Sequence, residues 1–288
     1  MKKTVCIFLA IISLIALAGL AACNKPVGNL PLICRVINPV EGIDAKEEFT
    51  KWNSEPAAVE GRAQTLTVTV NGESLTGNYS NSAYVIWCPE MKHNYMTENL
   101  VSFSVNDEGT VIYYKNPYPG TGEAITKDAA TEIAKAFIKT IYPDADLDKY
   151  SLSANVNKDD NSFSIAFIKY AGEIISFDHV EVNVDSTGTV REYSSFIFGK
   201  ISDDLASAFD ADKMKKKITA KCDSISKAAK KQYDSLVYDD YSYILTLDEE
   251  GNAAMVVLTE IRCQKEHEEI VSASAETVVL YFPNDTLK

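Results

Sequence analysis

Apolar positions in this chain recur first with a helical period and then with a period of two, and that order repeats. Between Lys127 and Tyr142, Ala130, Ile133, Ala134, Phe137 and Ile141 form one apolar stripe. Thr126 stands at the N-cap, and Pro143 cannot continue the helix. Tyr150–Val156, Phe163–Tyr170 and Val180–Asp185 then alternate as strands. A further helix is predicted from Asp210 to about Tyr233, with Met214, Ile218, Cys222, Ile225 and Ala229 on one face. Tyr241–Leu247, Ala254–Ile261 and Glu276–Phe282 follow it as strands. Nearer the start, Asp44-Ala-Lys-Glu47 is a capping box that predicts a helix. Thr65–Val70 and Ala83–Trp87 predict the first strands.

The pattern repeats in detail. Val101-Ser-Phe-Ser-Val-Asn-Asp-Glu-Gly109-Thr-Val-Ile-Tyr-Tyr114 aligns with Val180-Glu-Val-Asn-Val-Asp-Ser-Thr-Gly188-Thr-Val-Arg-Glu-Tyr193. Each reads as strand, polar turn with a glycine suited to positive φ, and strand. Three units result, at 41–117, 124–199 and 208–284, the third one strand short. Each is a helix followed by an antiparallel meander, an α+β arrangement in which the helix covers one face of the sheet. Units of this size are small for independent cores, so they are expected to pack on one another. Asn116–Gly122, rich in Pro and Gly, reads as a linker or turn.

The second unit resembles a known family. Ile125-Thr-Lys-Asp-Ala-Ala-Thr-Glu-Ile-Ala-Lys-Ala-Phe-Ile-Lys-Thr-Ile-Tyr-Pro143 is similar to the opening helix of PepSY-like modules, and most similar to the YcdB/YcdC-type repeat. Phe163–Tyr170, Gly172–Ser176 and Val180–Val190 follow that family's strand, Gly-x-x-Ile loop and closing hairpin. Thr189 after Gly188 departs from the Glu or Lys common there. The resemblance implies tandem cystatin-like units, each one helix on a three- or four-stranded antiparallel sheet. It also implies secretion and no catalytic residues. Relatives occur in propeptides that inhibit or escort metallopeptidases.

Charge and the N-terminus add an address. Lys2 and Lys3 precede the apolar run Val5–Leu20, and Leu20-Ala21-Ala22-Cys23 closes it. Residues 1–22 read as a signal peptide, because the run is too short for a lasting membrane span. The closing box resembles the bacterial lipobox, which makes Cys23 the lipidated residue. The alternative is a plain secretory signal with a chance cysteine. Residues 23–40, with Pro26, Gly28 and Pro31, read as tether and lead-in. The expected location is the cell envelope, lipid-anchored on the extracytoplasmic face, with the membrane engaged through the N-terminal lipid. Two of the 28 Lys and Arg lie in the leader, so 26 remain against 41 acids, a balance of −15. So acidic a chain is not expected to bind nucleic acid.

Outside the cytoplasm the four remaining cysteines allow three disulfide pairings. Cys222 on the helix face and Cys263 on the alternating strand point into one interface, which favours Cys222–Cys263 and leaves Cys34–Cys88. The alternative is four reduced thiols acting as small hydrophobes.

No motif of enzyme chemistry is present: no HExxH, GxSxG, SxxK or phosphate loop. His93, His179 and His267 stand far apart beside polar residues and read as surface groups. Asp144-Ala-Asp-Leu-Asp148 opens like a calcium loop but lacks the Gly and Glu that complete one. Asp159-Asp160, Asp203-Asp204 and Asp239-Asp240 read as turns. No metal or cofactor is expected. Lys213, Lys216, Lys217, Lys221 and Lys230 belong to a lysine-rich helix that could meet an anionic surface. The favoured reading is a solvated outer helix face, since these lysines flank a normal core stripe. Tyr113, Tyr114, Tyr118, Tyr142, Trp52 and Trp87 could line an aromatic groove, or pack in hairpins and core. The expectation is a non-enzymatic envelope lipoprotein that binds an envelope or extracellular protein, such as a peptidase it inhibits or escorts. The alternative is an adhesive or glycan-binding structural lipoprotein.

Overall fold

The computed structural model describes residues 57–84, 90–208, 210–228, 235–247, 251–264 and 276–283. All lie in the compact unit Pro39–Lys288. Strands β1 (Thr65–Val70), β2 (Glu73–Tyr84), β3 (Met91–Met96), β4 (Ser102–Val105) and β5 (Val111–Lys115) form a meander. Helix α1 (Lys127–Ile141) follows, with a short 3-10 turn at Leu147–Lys149. Then come β6 (Ser151–Val156), β7 (Phe163–Ala171), β8 (Ile174–Val184) and β9 (Val190–Phe196). Helices α2 (Asp203–Ala208) and α3 (Ala211–Ala228) lead to β10 (Ser235–Leu247), β11 (Ala253–Gln264) and β12 (Glu276–Pro283).

Helix α1 forms where its stripe predicts. The Ala129 amide donates to Thr126 Oγ1 at 3.2 Å, and Ala130, Ala134, Phe137 and Ile138 are buried. The two aligned hairpins are built alike. Asn106 Oδ1 accepts from the amides of Glu108 and Thr110, and Asp185 Oδ1 accepts from those of Thr187 and Thr189. Gly109 and Gly188, at φ +83° and +97°, supply the left-handed residue each turn needs. The predicted linker is pinned to the second hairpin: Arg191 donates to the Asn116 and Pro117 carbonyls, and the Gly120 amide donates to Asp185 Oδ2.

The strands do not form separate packed sheets. Among the described residues they join edge to edge into one twelve-stranded sheet. Strand β5 pairs antiparallel with β9 through Tyr113↔Ser194 and Tyr114↔Tyr193. The N-terminal end of β8 pairs parallel with β10 at Ile175↔Ile244 and Ser176↔Leu245. The second edge of β8 is free there because β9 occupies it only from His179 onward. One core then serves β1–β9: Val70, Tyr95 and Phe103 cluster with Phe137, Ile165, Val182 and Tyr193 beneath α1.

Several expectations are corrected. The predicted strand Ala83–Trp87 is the end of β2, which starts at Glu73, and residues 85–89 lie outside the described residues. Polar β2 and β3 were missed because their sequences alternate weakly. What holds them is close packing and polar pairing. A side chain at Gly77 would strike the Phe103 ring, and Asn94 donates to Asn81 and accepts from Ser104. Asp239 lies inside β10 at a register shift rather than in a turn, and Asp203 opens α2. Strand β8 is buried on both faces, not one, because it sits in the middle of the joined sheet. The capping box at Asp44 lies outside the described residues.

Candidate functional site

Three polar clusters and one free sheet edge are candidates. The first cluster follows α1. A cleft of about 550 Å³ is lined by Tyr142, Tyr150, Phe198, Lys149, Lys169 and Asp203, among others. The Phe198 ring lies 4.9 Å from both the Tyr142 and Tyr150 rings. Beneath it Asp178, fully buried, accepts from Tyr150 Oη (2.9 Å), the Gly199 amide (2.8 Å) and the Ile201 amide (3.1 Å). Burial pushes the Asp178 carboxyl above its ordinary range, opposed by these bonds and by Lys169. Lys169 donates to the Ile201 carbonyl and pairs with Asp203 at 2.7 Å. Lys149 holds the other Asp203 oxygen at 3.0 Å. The two lysines hold Asp203 below the usual carboxylate range. Asp178, Lys169, Lys149 and Asp203 are engaged with one another or with this segment, so the cluster ties the chain at 199–203 to the sheet.

The second cluster contains a serine, a histidine and an aspartate in series. Ser82 Oγ lies 2.6 Å from His93 Nδ1, and His93 Nε2 lies 2.9 Å from Asp107 Oδ1. Arg62 contacts both His93 and Asp107. A nucleophilic triad needs an accessible hydroxyl and a sequestered acid. Here the order is inverted: Ser82 is 4% exposed, while the Asp107 side chain is 68% exposed. Ser82 also bonds Tyr79 Oη at 2.7 Å, and the Val59 amide donates to that same phenol oxygen. The series fastens the incoming chain to β2, β3 and the β4–β5 turn.

The third cluster joins the β2–β3 connection, the β4–β5 turn and the chain after β9. Glu90, nearly buried, accepts from Asn106 Nδ2 (3.1 Å) and Lys200 Nζ (3.0 Å).

The histidines differ from expectation. His93 and His179 are buried rather than at the surface, because both lie on interior strands of the joined sheet. His179 sits between Phe177 and Phe196, with ring centroids 6.4 Å and 5.0 Å away. Neither of its ring nitrogens has a hydrogen-bond partner among the described residues. Nearby Glu181 bonds Ser164, and Asp178 serves the first cluster, so neither of these carboxylates engages His179. His267 lies outside the described residues.

The remaining sequence candidates are scattered. Tyr113 donates to Glu192, Tyr114 packs on Phe137 and Tyr142 bonds Ser195. Tyr118 is exposed, and Trp52 and Trp87 lie outside the described residues, so of these candidates only Tyr142 lines the cleft, beside Tyr150 and Phe198. Among the described residues no group of three potential ligands is placed to hold a metal ion, and Asp144–Asp148 is the exit of α1. On α3, Lys213 and Lys216 are exposed and Lys217 is half-buried. Lys215 points at the Tyr243 ring, 5.7 Å away. The Lys221 side chain and Lys230 lie outside the described residues. So do Cys23, Cys34 and Cys88. Cys222 and Cys263 fall on α3 and β11, but their side chains are not among those described.

The free edge is β6. Among the described residues it pairs with β7 alone, from Ser151↔Ile168 to Val156↔Phe163. Leu152 and Val156 are 50% and 46% exposed there, although they share the face of the buried Phe163, Ile165 and Phe167.

One family model matches part of the chain. Residues 67–195 match the model described as "YcdB, YcdC repeated domain". The match covers both Asx-Gly hairpins and α1. No curated protein matches the chain. Among solved structures, the C-terminal domain of YpeB from Bacillus megaterium aligns over 85% of this chain and 99% of that one, at 11% identity and a TM-score of 0.32.

Proposed function

We propose that this chain is a non-enzymatic cell-envelope lipoprotein that binds a protein partner, with an envelope peptidase as the class it would inhibit or escort. The observation that carries the reading is the YcdB/YcdC repeat match over residues 67–195. The geometry is consistent with binding rather than catalysis. Each described polar cluster is closed on itself and fixes one segment of chain to another. Two of the exposed apolar residues, Leu152 and Val156, lie at a sheet edge, where an extended chain can add by main-chain hydrogen bonds.

Two experiments test the parts separately. Metabolic labelling with an alkyne fatty acid should mark the wild-type chain, and Cys23→Ser should lose the mark. A label that survives the substitution removes the lipoprotein reading. An affinity pull-down from envelope extract should enrich one envelope protein over a control bait. If the recovered partner is a peptidase, its activity should change on adding the chain; enrichment of nothing above background counts against partner binding.

A further inference from the structure

Strand β6 is an edge without the usual protection. Sheet edges exposed to water are ordinarily guarded by charge, proline or a bulge, because an unpaired row of N–H and C=O groups templates another strand. From Tyr150 to Asn157 the sequence is Tyr-Ser-Leu-Ser-Ala-Asn-Val-Asn, with no charge and no proline. It pairs with β7 in unbroken register, so no bulge turns it away. The other described edge of this half of the sheet, β1, differs. Its outward side chains are Thr65, Thr67 and Thr69, and its apolar residues are at least half-buried. Strand β6 instead shows Leu152 and Val156 to solvent on the side where α1 covers the sheet.

We propose that β6 pairs antiparallel with β6 of a second copy of this chain, about a two-fold axis through Ala154. This register is singled out by complementarity. It sets each Leu152 opposite Val156 of the second copy, so the exposed apolar residues cover one another. Ser153 falls opposite Asn155, both able to hydrogen-bond. Moving the axis by one residue to Ser153 sets Leu152 against the small Ala154. The joined strip continues the core that Ala154 already touches. Two six-residue strands bury less than a standard interface, so the pair is weak and concentration-dependent. The inference does not depend on the partner-binding reading.

The test uses the full chain in detergent. Residue 154 meets itself across the axis, with Cβ atoms about 5 Å apart, so Ala154→Cys should give a doubled mass with a short bis-maleimide. Ser151→Cys should give none above the parent chain, because its copies lie about 20 Å apart in this register. Sedimentation should show the wild-type mass rising with concentration. Leu152→Lys/Val156→Lys should stay monomeric at every concentration and keep the melting temperature of the dilute wild type, since both side chains are about half exposed and lie outside the core cluster. Amide exchange should show residues 151–156 gaining protection with concentration, and β1 not. A monomer at all concentrations overturns the proposal. So does equal cross-linking at 151 and 154, or a double-lysine variant that still associates. A chain whose β6 amides are protected only after envelope extract is added also overturns it, and assigns the edge to a foreign strand.

Discussion

Acidification should destabilise this fold through His179. Burial lowers its imidazole from 6.5 to about 4, with only weak opposition from the nearby Ser176 and Phe177 backbone. The folded value lies below the unfolded one, so between them the unfolded chain binds more protons. Stability from this group is therefore intact above pH 6.5 and is lost as pH falls towards 4. At about 1.36 kcal/mol per pH unit the loss is about 2 kcal/mol at pH 5 and about 3 kcal/mol below pH 4. Other groups titrate in the same range. Burial raises Glu181 and Asp178, which acts in the opposite direction, and the lowered Asp203 acts with His179. A comparison with His179→Leu cancels these shared contributions. At pH 7 the variant should be as stable as wild type or more so, since it removes two buried ring nitrogens without partners. Urea melts of both chains at pH 7, 6, 5 and 4.5 give the difference directly. The reasoning fails if wild type and variant lose stability in parallel over that range.

Three further outcomes follow from the packing. Phe137→Ala should cost about 3–5 kcal/mol in urea melts, because Phe137 is buried with its ring 5.7 Å from Tyr114 and 5.3 Å from Tyr193. Asp178→Ala should cost at least about 3 kcal/mol, since it strands the Tyr150 hydroxyl and the amides of Gly199 and Ile201. Faster exchange of the 199 and 201 amides should accompany it. Gly120→Ala should cost about 1–3 kcal/mol, because its Cβ would fall 2.1 Å from Thr189 Oγ1 and 2.4 Å from Thr187 Oγ1. A melting temperature equal to wild type would show that the linker does not press on the hairpin.

Much of this protein is legible in local sequence. The α1 stripe, the Thr126 cap and the Pro143 stop define a helix without reference to anything distant. The Asn106–Gly109 and Asp185–Gly188 turns are written in the same way, since an Asx side chain and a glycine close a turn by themselves. The β7, β11 and β12 positions follow from alternation, as does β8 from Val180 onward; its first part, Ile174–Ser176, reads as a loop in the sequence and is strand in the structure. What local pattern cannot carry is which edges meet. The β5–β9 and β8–β10 pairings join residues far apart in sequence, and backbone hydrogen bonds leave no mark in side-chain periodicity. Burial on both faces of β8 follows from those pairings. It is why His179, flanked in sequence by Asp178 and Glu181, lies between two phenylalanine rings instead of in water. The β6 edge lies between the two cases. Its lack of charge is visible in the sequence, but only the sheet order shows that no other described strand covers it.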